Sequence, residues 1–221
     1  MKKMRHFLTL LFLVVSMPMV FAQASQDCTI KYNLFKGDYN AKSYDKAYEN
    51  WMWCMDNCPT LSVNIYKLGI KIAEHKLENA AEADKPAAKD LVMRVYTQRL
   101  EYFPKDKANI YDDIASFKRE QGAIDDDIYV WLKKTFKEDP IALSPTNTYK
   151  YFDIILNKYK DSDTQKVFDT YDEVGDALEG KREAYTKKID VINAKDSTTL
   201  SKKDIKRREV SQQIITNLSI V

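Results

Sequence analysis

In the stretch YDKAYENWMWCMDNCP, residues 44–59, the side chains of Tyr44, Ala47, Trp51 and Cys54 fall three, four and three residues apart, and Pro59 stands five beyond. That spacing sets the first four on one face of an α-helix, and the proline stops the helix. A small residue at Ala47 lets a neighbouring helix approach closely. A large aromatic at Trp51 fills the space against the next unit. The frame recurs. Val92, Tyr96, Arg99 and Pro104 keep the intervals, and so do Ile128, Leu132, Thr135 and Pro140. Val167, Tyr171 and Val174 make a fourth copy without the terminal proline. The anchors stand 45, 36 and 39 residues apart, so the chain reads as an array of helical hairpins. No useful length alternates with period two, and no sheet is expected. With only five Gly and six Pro in 221 residues, the composition suits an all-α fold.

Local signals place the helices. Pro86 can open a helix after the Ala- and charge-rich insertion LENAAEADKPAAKD. Ser144-Pro145 is an N-cap with proline at the first helical position, and Ser162 to Gln165 reads as a capping box. Helices are predicted near 28–40, 43–57, 61–80, 86–102, 106–121, 124–138, 145–159, 163–179, 181–194 and 200–218. In the first helix of each hairpin, Leu34 takes the leucine position of unit one, Leu68-Gly69 supplies a Leu-Gly pair in unit two, and Tyr151 is the leading aromatic of unit four.

These spacings resemble the second-helix pattern of the tetratricopeptide repeat (TPR). Cys28, Leu34-Phe35, Tyr44, Ala47, Trp51, Cys58-Pro59 and the run Asn64-Ile65-Tyr66 with Gly69 are similar to the opening of secreted TPR proteins of the Bacteroidota, and VYTQRLEYF (95–103) is similar to a later segment of that family. The likeness covers roughly residues 28–180. It departs at Pro104, where relatives carry glycine, and in its shorter C-terminal end. It implies an exported, repeat-built binding protein and carries over no catalytic residues. The expected fold is therefore all-α, with antiparallel helical hairpins stacked as a TPR-like right-handed solenoid.

Lys2, Lys3 and Arg5 precede an apolar run, Phe7 to Phe21, and Val20-Phe21-Ala22 ends it with small residues at the positions a signal peptidase reads. Residues 1–22 are expected to be a signal peptide, with Ala24 a second cleavage candidate. The run is short for a spanning anchor and Pro18 interrupts it. No lipobox-like residues precede Cys28. Residues 23–180 form the expected repeat domain and 181–221 a charged C-terminal helical segment, a cap or a further repeat. No later run is apolar enough to span a membrane. The chain has 35 basic and 33 acidic residues, and three of the basic ones precede residue 23. Residues 181–209 hold ten Lys/Arg against five Asp/Glu. In an exported chain that basic stretch is a solvated helix before it is a partner surface, and nucleic acid is not an expected partner.

Cys54 and Cys58 lie four apart, but beyond residue 22 the chain has a single histidine, His75, too few further ligands for a zinc site. Redox dithiols use Cys-x-x-Cys. Cys28 begins the first helix and Cys58 ends the second, and antiparallel helices bring those ends together. A Cys28–Cys58 disulfide would clip the hairpin, at roughly 3 kcal/mol in the chain-entropy treatment. Cys28–Cys54 is the competing pair. His75 shares an apolar face with Ile65, Leu68 and Ile72 and reads as structural. The run Asp125-Asp126-Asp127 suits a helix start. No nucleotide, hydrolase or zinc-protease motif is present. No catalytic residue, cofactor or metal is expected.

The first helices of a TPR stack line its concave face. Projecting their exposed positions gives Tyr32, Tyr39 and Asn40 in unit one, Tyr66 and Glu74 in unit two, Asp113 and Phe117 in unit three, and Tyr149, Phe152, Tyr159 and Lys160 in unit four. Aromatics with occasional charges suit a bound protein or peptide. The expected function is an exported scaffold for protein–protein interaction in the periplasm or cell envelope. The alternatives are a structural or self-associating adaptor, or a helical-repeat glycan-binding protein. Val210, Ile214, Leu218 and Val221 form an apolar stripe that folds back on unit four, meets a partner, or continues a longer array.

Overall fold

The computed structural model describes residues 26–218, and they are helical with no strand among them. The expected signal peptide and Val221 lie outside the described residues. The helices are α1 (26–40), α2 (Tyr44–Asn57), α3 (Asn64–Glu78), α4 (Lys85–Tyr102), α5 (Lys107–Glu120), α6 (Asp125–Glu138), α7 (Pro145–Tyr159), α8 (Thr164–Asn193) and α9 (Lys202–Leu218). Helices pack in sequence-adjacent pairs. The chain divides into two compact units, one ending at Lys105 and one beginning at Asp106.

In the first unit, α2 packs on α3 and α3 on α4. Trp51 is completely buried, and its indole Nε1–H donates to the Ile65 carbonyl at 2.8 Å. Gly69 makes this fit possible: a Cβ there would stand 2.1 Å from Trp51 Nε1. The glycine of the Leu-Gly pair thus receives the aromatic of the preceding unit. Phe35, not the half-exposed Leu34, fills the core from α1. Cys28 and Cys58 are joined, with Cα atoms 5.9 Å apart, and Cys54 is free and buried. Pro86 lies in the first turn of α4, as the insertion implies.

In the second unit, α5 pairs with α6, α6 with α7, α7 with α8, and α8 with α9. Its core joins Ile128 and Leu132 of α6, Tyr151, Ile154 and Ile155 of α7, Leu143 and Val174. Gly122 ends α5 in the left-handed region (φ 72°), with the Ala123 and Gly122 amides returning to the Lys118 and Arg119 carbonyls. The acidic start of α6 also reaches across to α7, where Lys150 meets Asp125 at 2.9 Å and Lys158 meets Asp126 at 3.1 Å. Ser144 caps α7 as expected, accepting from the Asn147 amide.

Two local expectations change. The cap of α8 is Asp163, which accepts from the Lys166 amide, and not Ser162. The separate helices expected over 163–179 and 181–194 form one 30-residue helix, so residue 180 lies inside α8. Gly180 does not take a left-handed φ. It faces Ile141, whose Cγ2 would lie 3.4 Å from an added Cβ. The glycine therefore serves a close approach between helix and loop rather than a helix stop. Next to it, Lys181 is buried and donates to the Leu143 carbonyl. Burial lowers its pKa, while Asp112 and Asp139 act the other way.

A true capping box starts α9. Ser201 Oγ receives the Asp204 amide at 3.1 Å, and the Asp204 carboxylate receives the Ser201 amide at 3.2 Å and its hydroxyl at 2.7 Å. Lys195 adds an ion pair at 2.8 Å. The lysine first, then Ser201, holds the Asp204 carboxyl at a pKa of about 2, below the ordinary 3.8. A depressed carboxyl contributes stability above its unfolded pKa and loses it as pH falls through the folded one. Amide exchange at the start of α9 is therefore expected to accelerate between about pH 4 and pH 2. In Asp204→Asn that acid step should be absent, and a step of equal size in the variant would contradict the assignment.

Candidate binding surface

The repeat frame shows which positions are closed and which are open. Its anchors Ala47, Val92, Ile128 and Val167 are all buried. Four residues on, Trp51, Tyr96 and Leu132 are buried too, but Tyr171 in the fourth copy is 63% exposed. The sequence frame predicts a packed residue there. The structure leaves the ring open, because no further helix lies against that face of α8 among the described residues. Phe168, one turn earlier, is 61% exposed.

Tyr171 does meet α7. Its ring packs edge-on against Phe152, with centroids 5.9 Å apart. On α7, Tyr149, Phe152, Leu156 and Tyr159 recur at helical spacing and form one stripe. Tyr149 is 62% exposed, Leu156 is exposed, and Phe152 is half-buried. The Lys166 ammonium lies over the Tyr159 ring at 3.7 Å and closes the stripe at its C-terminal end, where Lys160 is exposed. Tyr149, Phe152, Leu156, Phe168 and Tyr171 together make an aromatic face on the second unit.

The other projected residues divide. On α1, Tyr32 and Tyr39 are half-buried and Asn40 is exposed. The Tyr32 hydroxyl meets Ser62 Oγ at 3.4 Å and the Asn64 side-chain amide at 3.3 Å, which ties α1 to the start of α3. The Tyr39 ring leans on Tyr44, and Tyr44 leans on His75. His75 in turn meets Asp45 at 3.3 Å, a structural contact between α2 and α3. Glu74 is half-buried and pairs with Lys71 at 2.8 Å. Asp113 is exposed on α5.

Tyr66 and Phe117 leave the surface. Tyr66 is 1% exposed, donates its hydroxyl to the Pro59 carbonyl at 3.0 Å and stacks on Tyr102. Phe117 is 7% exposed. Both are core residues: an aromatic this large at a helix-facing position gains more from burial than from solvent.

A buried polar cluster in the second unit has no signature in the sequence. Asn147 of α7 is completely buried and donates to the Asp112 carbonyl (3.0 Å), the Asp112 carboxylate (2.8 Å) and Ser116 Oγ (2.8 Å). The Ser144 amide also donates to that carboxylate, at 3.0 Å. The helical projection selects Asp113 as the face-directed acid and passes over its neighbour Asp112. The cluster locks α7 against α5. The projection also passes over Leu156 and Phe168. The available signal is the fourth frame itself, which lacks the terminal proline of the other three.

Among the described residues no group of His, Cys, Asp or Glu is placed to hold a metal ion. Burial pushes the Cys54 thiol up to about 11, away from the reactive thiolate. No described helix is long and apolar enough to cross a membrane. No protein-family model, no curated protein and no solved structure matches this chain, so the aromatic face stands on its own geometry.

Proposed function

We propose that this chain is an exported TPR-like scaffold of the periplasm or cell envelope, with its hairpins stacked as a right-handed solenoid, that holds another protein or peptide and performs no catalysis. The observation that carries the reading is the aromatic face of α7 and α8, where Tyr171 lies open at the repeat position that is buried in the other three copies. Contiguous exposed apolar side chains mark interaction sites, and aromatics supply most of the binding energy at such sites. Sequence-adjacent helix packing is what a stack of hairpins requires. The Cys28–Cys58 bond suits an oxidising compartment outside the cytosol.

A photo-crosslinking residue at Tyr149 tests the reading in intact cells, with one at the exposed Lys133 of α6 as control. A discrete adduct with another envelope protein is expected from position 149 and not from 133. An adduct with this chain alone would favour a self-associating adaptor. No protein adduct, together with a positive glycan array, would favour glycan binding and sink the scaffold reading.

A further inference from the structure

We propose that the groove between α8 and α9 of one copy of this chain receives the acidic, aromatic flank of α8 from a second copy. The charge along α8 is divided. Residues 161–180 hold seven carboxylates against one lysine, while residues 181–209 hold ten Lys/Arg against five Asp/Glu. Two helices broken at Gly180 could fold back and neutralise each other. One continuous helix prevents this. Asp172 and Lys188 are held apart by roughly 24 Å of helix axis at 1.5 Å per residue. At the junction the two halves meet, through Arg182 and Glu179 at 3.3 Å.

The basic half is shaped to receive something. Lys188, Lys203, Lys206 and Arg207 line a groove of about 770 Å³ together with Val191 and Val210. Those valines are 67% and 47% exposed, a large apolar exposure for a strongly charged stretch. The single acid in the lining, Asp204, is already taken by Lys195 and Ser201. The basic rim therefore keeps an excess of positive charge. The acidic half has the opposite charge, with Phe168 and Tyr171 exposed and Asp169, Asp172 and Asp176 exposed on the flank beside them. Apolar side chains beside charges of one sign fit apolar side chains beside charges of the other. Like charges oppose groove-to-groove and patch-to-patch pairing, so the contact is patch to groove.

The charge layout carries this contact, which shares Phe168 and Tyr171 with the face proposed above for a partner, so a second copy and that partner would compete for the two rings. Self-association is read on purified chain with no partner present, so the two readings fail separately. Light scattering of the concentrated chain at about 0.01 M salt is expected to give a mass above that of one copy. The mass should fall to one copy near 1 M, as the screening length shrinks from about 30 Å to about 3 Å. Two surface variants refine the test, Lys203→Glu/Lys206→Glu/Arg207→Glu and Asp169→Lys/Asp172→Lys/Asp176→Lys. With helical content unchanged by circular dichroism, each alone should bind itself at least about tenfold more weakly than the parent. Mixing the two should restore association, because each reversed surface then meets its complement. Three results would overturn the proposal: a parent chain that stays monomeric at low salt, association that both variants keep, or a mixture that fails to associate. A monomeric parent that sediments with phosphatidylglycerol vesicles would assign the groove to an anionic surface instead.

Discussion

Replacing Trp51 by alanine is expected to cost the N-terminal unit about 3–5 kcal/mol, whereas the same truncation at Tyr171 should change stability by less than about 0.5 kcal/mol. The two residues hold equivalent places in the repeat frame. Trp51 is sealed between α2 and α3 and bonded to the Ile65 carbonyl, while Tyr171 stands open to solvent. Local amide exchange read through α2 and α3, and separately through α7 and α8, measures each cost in its own unit. A Tyr171→Ala cost as large as that of Trp51→Ala would mean that the fourth frame is closed after all. Gly69 completes the test. Alanine is the better helix former by about 1 kcal/mol, yet its methyl would overlap the buried indole. Gly69→Ala should therefore destabilise by about 1–3 kcal/mol. Adding Gly69→Ala to Trp51→Ala should cost less than the sum of the two, since the methyl then enters the space the indole left.

Loss of the Cys28–Cys58 bond, by reduction or by Cys28→Ser/Cys58→Ser, should lower the stability of the same unit by about 3 kcal/mol, within the range of about 2–5 kcal/mol seen for native disulfides of small exported domains. The bond closes 30 residues of sequence, and its removal returns that freedom to the unfolded chain. Denaturation with and without reductant measures the cost, and the unit beginning at Asp106 should not respond. Cys54 is the internal control. Its thiol is buried and its pKa is raised to about 11, so alkylation at neutral pH should wait for unfolding. A non-reducing peptide map with Cys54 cross-linked to Cys28 would overturn the pairing.

The disulfide and the cap of α7 rest on short-range relations, and short-range relations can be read along a chain. Cys28 and Cys58 can be paired because two antiparallel helices of known length must bring their ends together. Ser144-Pro145 can be read because a cap needs only its own next three residues. Gly180 cannot be read in that way. Glycine stops a helix only when the chain beyond it gains contacts from a left-handed turn. Here the gain lies instead in the loop at Pro140–Ala142, about 40 residues earlier in sequence, against which α8 packs. Tyr66, Phe117 and Tyr171 are the same lesson on the surface. All three occupy plausible positions on a helical face, and only the presence or absence of a neighbouring helix decides which face is covered.

The sequence by itself determined the all-helical class, the places of most helices, the pairing of Cys28 with Cys58 as the favoured bond, and the positions of Trp51 and Gly69 on their helices. Each follows from periodicity, capping or the reach of one hairpin, energies that act within a few turns of helix. Tertiary structure decided the rest: that Gly69 receives the Trp51 indole, that α8 runs unbroken through Gly180, that Asp112 and Asn147 lock α5 to α7, and that Phe168 and Tyr171 remain open. Burial and electrostatic pairing depend on which distant segments meet in space, and a repeat frame is the same whether or not another helix comes to cover it.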